Sequence, residues 1–93
     1  MFRVLKAFYL PDRDLLVFTG SALEGEPVAG MLLELPRALR GPGFVPITSV
    51  ESVRFSDGHE DLALTVAFHH LESVPLFEPS RCEGRVLRLL RRD

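Results

Sequence analysis

Three glycines at a five-residue spacing, Gly20, Gly25 and Gly30, lie between the apolar run ending in Leu15–Leu16–Val17–Phe18–Thr19 and the run Met31–Leu32–Leu33. A glycine inside an apolar strand pattern marks a bulge, a tight corner or a close approach of backbone. Glycines set between short apolar runs therefore describe a chain that turns corners while staying in sheet. That constraint points to a small barrel.

A chain of 93 residues is long enough to bury one core and too short for two, so 1–93 reads as a single domain. Its apolar content of 46 %, with seven Phe, is ample for that core and unlike the composition of disordered chains. The formal net charge of -2 gives no overall bias toward nucleic acid or membrane. The charge is unevenly placed: positions 1–80 hold six basic and eleven acidic side chains, whereas Arg81, Arg85, Arg88, Arg91 and Arg92 face only Glu83 and Asp93 in the tail. Cys82 is the single cysteine, which rules out an intrachain disulfide and fits a reducing compartment. The start Met1–Phe2–Arg3–Val4–Leu5–Lys6 lacks the apolar segment of a signal peptide. No run approaches the roughly 20 apolar residues of a membrane-spanning helix. The expected location is cytoplasmic, without a membrane partner.

Along the chain, Val4 to Leu10 reads as a strand with Val4, Lys6, Phe8 and Leu10 on one face, followed by a turn at Pro11–Asp12–Arg13–Asp14. Leu15 to Thr19 is a continuous apolar run, as expected of a strand buried on both faces. Glu24–Gly25–Glu26–Pro27 is a turn, and Met31, Leu33 and Leu35 face inward along a strand that Pro36 ends. Arg37 to Pro46 reads as the longest irregular segment, with one helical turn at most over Arg37–Ala38–Leu39–Arg40. In the strand Ile47 to Phe55, the positions Ile47, Val50, Val53 and Phe55 slip out of a period of two, which predicts a bulge near Glu51–Ser52. Ser56 to Asp61 is a polar hairpin loop carrying Asp57–Gly58, and Leu62 to Phe68 alternates cleanly. Arg85 to Arg92 fits either helix or strand, but Gly84 is a poor helix opener, so a strand that completes the sheet is preferred. About six short strands with frequent turns predict an all-β fold, a small closed or nearly closed antiparallel barrel.

The order of these segments resembles the β-barrel domain that follows the nucleotide-binding domain in translation elongation and initiation factor GTPases. The resemblance rests on Val4–Leu10, Pro11–Asp14, Leu15–Gly20, Gly25, Gly30–Leu35, Ser49–Val50–Glu51, Leu62–Phe68 and Gly84–Leu89. It implies a binding module that docks on ribosomal RNA, tRNA or a translation-related protein through its loops. Two departures stand out: Asp12 and Asp14 occupy the turn where that family has glycines, and no phosphate-binding Gly-x-x-x-x-Gly-Lys-Ser/Thr loop occurs, Lys6 being the only lysine. GTP hydrolysis by this chain is not expected.

Candidate chemistry is sparse. His59, His69 and His70 with Asp57, Glu60, Asp61 and Cys82 are metal-compatible types, but adjacent strand residues His69 and His70 point to opposite faces, so no metal site is expected. Cys82 has no neighbouring histidine in the sequence to activate it, and the acidic residues fall in turns, where carboxylates face solvent. No enzyme and no cofactor are expected. The remaining candidates are Arg37, Arg40 and Phe44, which offer guanidinium groups and one aromatic face, and the tail arginines Arg85, Arg88, Arg91 and Arg92, which offer phosphate neutralisation. The alternative is a protein–protein interaction or homo-oligomerisation domain with no nucleic-acid role, whose arginines solvate the barrel and pair with its carboxylates.

Overall fold

The apolar run Leu15 to Thr19 has no polar face because both of its sides are covered. In the computed structural model its centre, Leu16, Val17 and Phe18, is buried throughout. The structure describes residues 1–39, 43–54, 56–58, 60–67 and 78–91. These hold the strands β1 (Phe2–Leu10), β2 (Leu15–Ala22), β3 (Leu32–Leu35), β4 (Gly43–Pro46), β5 (Ser49–Arg54), β6 (Glu60–Ala67), β7 (Val86–Leu87) and β8 (Leu89–Leu90). Short 3-10 turns occupy Pro11–Arg13, Arg37–Leu39 and Pro79–Cys82. No helix among the described residues is long and apolar enough to cross a membrane.

Two antiparallel sheets result, ordered β5-β6-β2-β1-β7 and β4-β3-β8. They share two stretches of chain. After β4, Ile47 still exchanges hydrogen bonds with the β3 side, its N–H donating to the Met31 carbonyl at 2.8 Å and its carbonyl accepting from Gly30 at 2.9 Å. One residue later the Thr48 N–H donates to Thr65 on β6 at 2.7 Å, and the strand has changed sheets. The tail does the same in reverse, with β7 beside β1, the Arg88 carbonyl accepting from Glu34 at 2.9 Å, and β8 beside β3. Counting each shared stretch once, the strands run round a nearly closed all-β barrel, as the glycine spacing anticipated.

The barrel interior is filled by Phe2, Val4, Leu16, Phe18, Leu33, Leu35, Leu64, Val66 and Leu87, every one of them essentially inaccessible. Burial of one such side chain stabilises the fold by about 1.5–3 kcal/mol. Gly25 and Gly30, at φ 61° and 94°, take up left-handed backbone in the connection between β2 and β3, which glycine enters at least cost.

Three expectations are corrected. The bulge lies in β1, between Val4 and Lys6, and not at Glu51–Ser52, since β5 and β6 pair without interruption from Ser49↔Thr65 to Arg54↔Glu60. The extra residue, Leu5, inverts the alternation of β1: Val4, Ala7 and the half-buried Tyr9 face inward, while Lys6, Phe8 and Leu10 are exposed. With β5 regular, Val50 and Val53 face opposite sides of the sheet, and Ile47 is set apart from both by the corner, where Ile47 and Thr48 leave one sheet for the other. Second, Gly43–Pro46 is strand and not loop, because β3 needs a partner on that side and Phe44 and Val45 supply the alternation. Third, Glu60 and Asp61 open β6 and do not belong to the hairpin loop. The tail is extended, as preferred over helix. Phe55, Phe68 and the segment of Pro75 lie outside the described residues.

Candidate functional site

In β3 a single carboxylate interrupts the leucines of Leu32–Leu33–Glu34–Leu35. Leu33 and Leu35 are buried, so alternation puts Leu32 and Glu34 on the outside of the small sheet. Directly paired residues share a face. Glu34 therefore lies beside Phe44 on β4, and Leu32 lies between Pro46 on β4 and Leu90 on β8. Arg88, whose carbonyl accepts from the Glu34 N–H, enters the same face from the other side.

The resulting surface has a defined centre. The Arg88 guanidinium carbon stands 5.6 Å from the centroid of the Phe44 ring, and its Nη1 is 3.9 Å from Glu34 Oε2. Phe44 and Leu90 remain 39 % exposed on this face. An exposed ion pair of this kind is worth about 0–1 kcal/mol and an exposed cation–π contact about 0.5–1 kcal/mol. The two contacts therefore do little for stability. What they do is place the Arg88 guanidinium beside the Phe44 ring and the Glu34 carboxylate on one face of the sheet.

The other predicted contact residues are spread apart. Arg37 lays its guanidinium against Gly43: a Cβ at that position would sit 3.2 Å from Arg37 Nη2, so the absent side chain makes room for it. Arg85 lies on the far sheet, its carbonyl accepting from Val4 at 2.9 Å. Arg91 lines a pocket of about 330 Å³ together with Glu24 and Glu26. Arg40 and Arg92 lie outside the described residues. Of the seven predicted contact positions the structure thus joins Phe44 and Arg88, and seats Arg37 next to the residue preceding Phe44. Glu34 and Leu90 were not singled out in the sequence. A lone carboxylate among leucines was the available signal for the first, and for the second there was none.

Two further groups bear on chemistry. Cys82 is fully buried, and burial pushes its thiol up to about 11 although nearby Arg85 acts in the opposite direction. At neutral pH it is a protonated thiol in the core, and only the thiolate is a nucleophile. Asp61, expected to face solvent, is only 8 % exposed and lines a cleft of about 390 Å³ with Arg3, Ser21 and the bulge residue Leu5. His59, His69 and His70 fall outside the described residues, and among the described ones no three His, Cys, Asp or Glu side chains converge on a metal-sized site. Comparison with protein-family models, with curated proteins and with solved structures finds no match to this chain.

Proposed function

We propose that this domain is a binding module without chemistry of its own, and that it docks a protein partner through the outer face of the β4-β3-β8 sheet. One observation carries the reading: exposed Phe44 and Leu90, with half-buried Pro46 and Leu32, share one sheet face with Arg88, which lies beside Phe44 and Glu34. Aromatic and arginine side chains dominate the energetics of protein interfaces when an apolar surround excludes water from them. The absence of a catalytic role is supported by the burial of the Cys82 thiol. Cross-linking in the native lysate tests the proposal. The same protein should be captured by the wild-type chain at low and high salt and lost with Phe44→Ala combined with Leu90→Ser. Capture that survives the double substitution overturns the assignment of this face.

A second reading is favoured by the Phe44–Arg88 stack itself, because a ring and a guanidinium plane are also what an unstacked RNA base packs against. It keeps the likeness to translation-factor barrels and docking on ribosomal RNA or tRNA. Retention of RNA that falls steeply with salt, and that Arg88→Glu abolishes, would favour it over the protein partner.

A further inference from the structure

β5 ends the larger sheet. Among the described residues it pairs with β6 along its full length and with no other strand. In an antiparallel ladder, alternate residues of such a strand turn their N–H and C=O groups away from the single neighbour. A groove of about 290 Å³ lies along this side, between β5 and the Glu26–Pro27 turn. Its apolar part comes from the half-buried Val50 and Leu62, and its charged lining is Glu26 and Glu51 with no basic side chain among them. β5 itself alternates: Val50 pairs with the buried Leu64 and faces the interior, while exposed Glu51 pairs with Ala63 on the outer face.

We infer that the β5 edge recognises an extended peptide of alternating apolar and basic residues, taken up as an additional strand. Main-chain hydrogen bonds to an open edge supply affinity, and alternate side chains supply specificity. A strand laid beside β5 places one set of its side chains over Val50 and Leu62 and the other set beside Glu51. The apolar set completes a barrel wall that is only half covered there. The basic set meets Glu51, whose carboxylate repels an acidic strand and so discriminates against it. This surface is on the other sheet from Phe44 and Arg88, and its occupancy does not depend on theirs.

The probe is a short acetylated and amidated peptide of alternating valine and lysine, titrated into the full chain and followed by amide hydrogen exchange and NMR shifts. Binding should slow exchange at alternate amides within Ser49–Arg54 and leave the β4-β3-β8 face unmoved. The matched valine–glutamate peptide should bind at least tenfold more weakly, and Glu51→Lys should weaken the lysine peptide to a similar extent. N-methylation at alternate residues of the peptide should abolish binding in one register and spare it in the other, a test that needs no change to the protein. Ser52→Pro, tolerable on an edge strand, should block uptake without lowering the melting temperature much. Three results would overturn the inference: equal binding of the acidic peptide, shifts that follow Phe44→Ala instead of Glu51→Lys, or β5 protection arising from the chain's own dimerisation without peptide.

Discussion

The carbonyl oxygen of Arg3 occupies the space where a side chain at Gly20 would have to be. The β1 bulge turns that oxygen across the ladder, and a Cβ built on Gly20 collides with it and comes within 3.1 Å of the Leu5 N–H nitrogen. The bulge on one strand and the glycine on its neighbour are thus two halves of one feature. Neither Gly25 nor Gly30 is crowded in this way, since a Cβ at either meets nothing within 4 Å.

Gly20 and Gly25 should therefore differ in how they tolerate alanine. Gly25→Ala places a side chain in left-handed backbone at φ 61° and should cost about 1–2 kcal/mol. Gly20→Ala must displace backbone in a packed sheet and should cost about 3 kcal/mol, the upper end for overpacking. Urea denaturation of the two variants decides the order. Equal losses would mean that β1 relaxes freely around position 20.

Burial of Cys82 makes stability depend on alkaline pH. The folded state holds the thiol proton up to about 11, whereas an exposed cysteine releases it from a reference value of 9.0. Between these values the folded chain binds more protons than the unfolded one, so this contribution is complete below pH 9 and is lost as pH rises toward 11. Its size is up to about 3 kcal/mol. Tyr9 is also raised by burial and adds to the slope at higher pH. Cys82→Ala isolates the thiol: melting curves from pH 8 to 10.5 should fall less steeply for the variant than for the wild type. In the folded wild type, iodoacetamide should react with Cys82 far more slowly than in urea.

Much of the architecture was legible because backbone requirements leave local signatures. The Pro11–Asp14 turn, Asp57–Gly58 and Pro36 each announce where the chain must bend or stop, and each does so in the structure, whereas Thr19–Gly20 does not end its strand: β2 continues through both to Ala22. The face assignment of β1 was not legible, since Leu5 as a bulge and Leu5 as an ordinary strand residue have the same local sequence. Only the carbonyl of Arg3 against Gly20, a contact between different strands, decides it. The strand Gly43–Pro46 was hidden for a related reason: flanking glycines and Pro46 resemble loop chemistry, and pairing with β3 outweighs them. The candidate face was half visible. Phe44 and Arg88 stood out as residue types, but their meeting depends on both flanking β3 in register, which no local pattern encodes.

Truncations on that face should be nearly silent for folding. Arg88→Ala removes an exposed ion pair and one cation–π contact, and Phe44→Ala removes a ring that is 39 % exposed. Arg88→Ala is expected to cost less than about 1 kcal/mol, and Phe44→Ala about 1–2 kcal/mol. Thermal melts and unchanged β-sheet circular dichroism check this. A loss above about 3 kcal/mol for Arg88→Ala would make the arginine structural and remove its availability as an interface anchor.

The inverted faces of β1 predict opposite fates for two phenylalanines that the sequence treats alike. Phe18 on β2 is fully buried and pairs with Ala7, whose small side chain leaves room for the ring inside the barrel. Phe8 is 41 % exposed and pairs with Val17 on the outer face. Phe18→Ala should cost about 3–5 kcal/mol, enough to unfold much of a domain with the usual margin of about 5–15 kcal/mol. Phe8→Ser should cost about 1 kcal/mol and improve solubility. Ala7→Phe should cost up to about 3 kcal/mol, because it drives a second ring into filled space. A regular β1 without the bulge reverses these expectations, with Phe8→Ser destructive and Ala7→Phe tolerated. Urea unfolding of the three variants therefore reads the register of β1 directly.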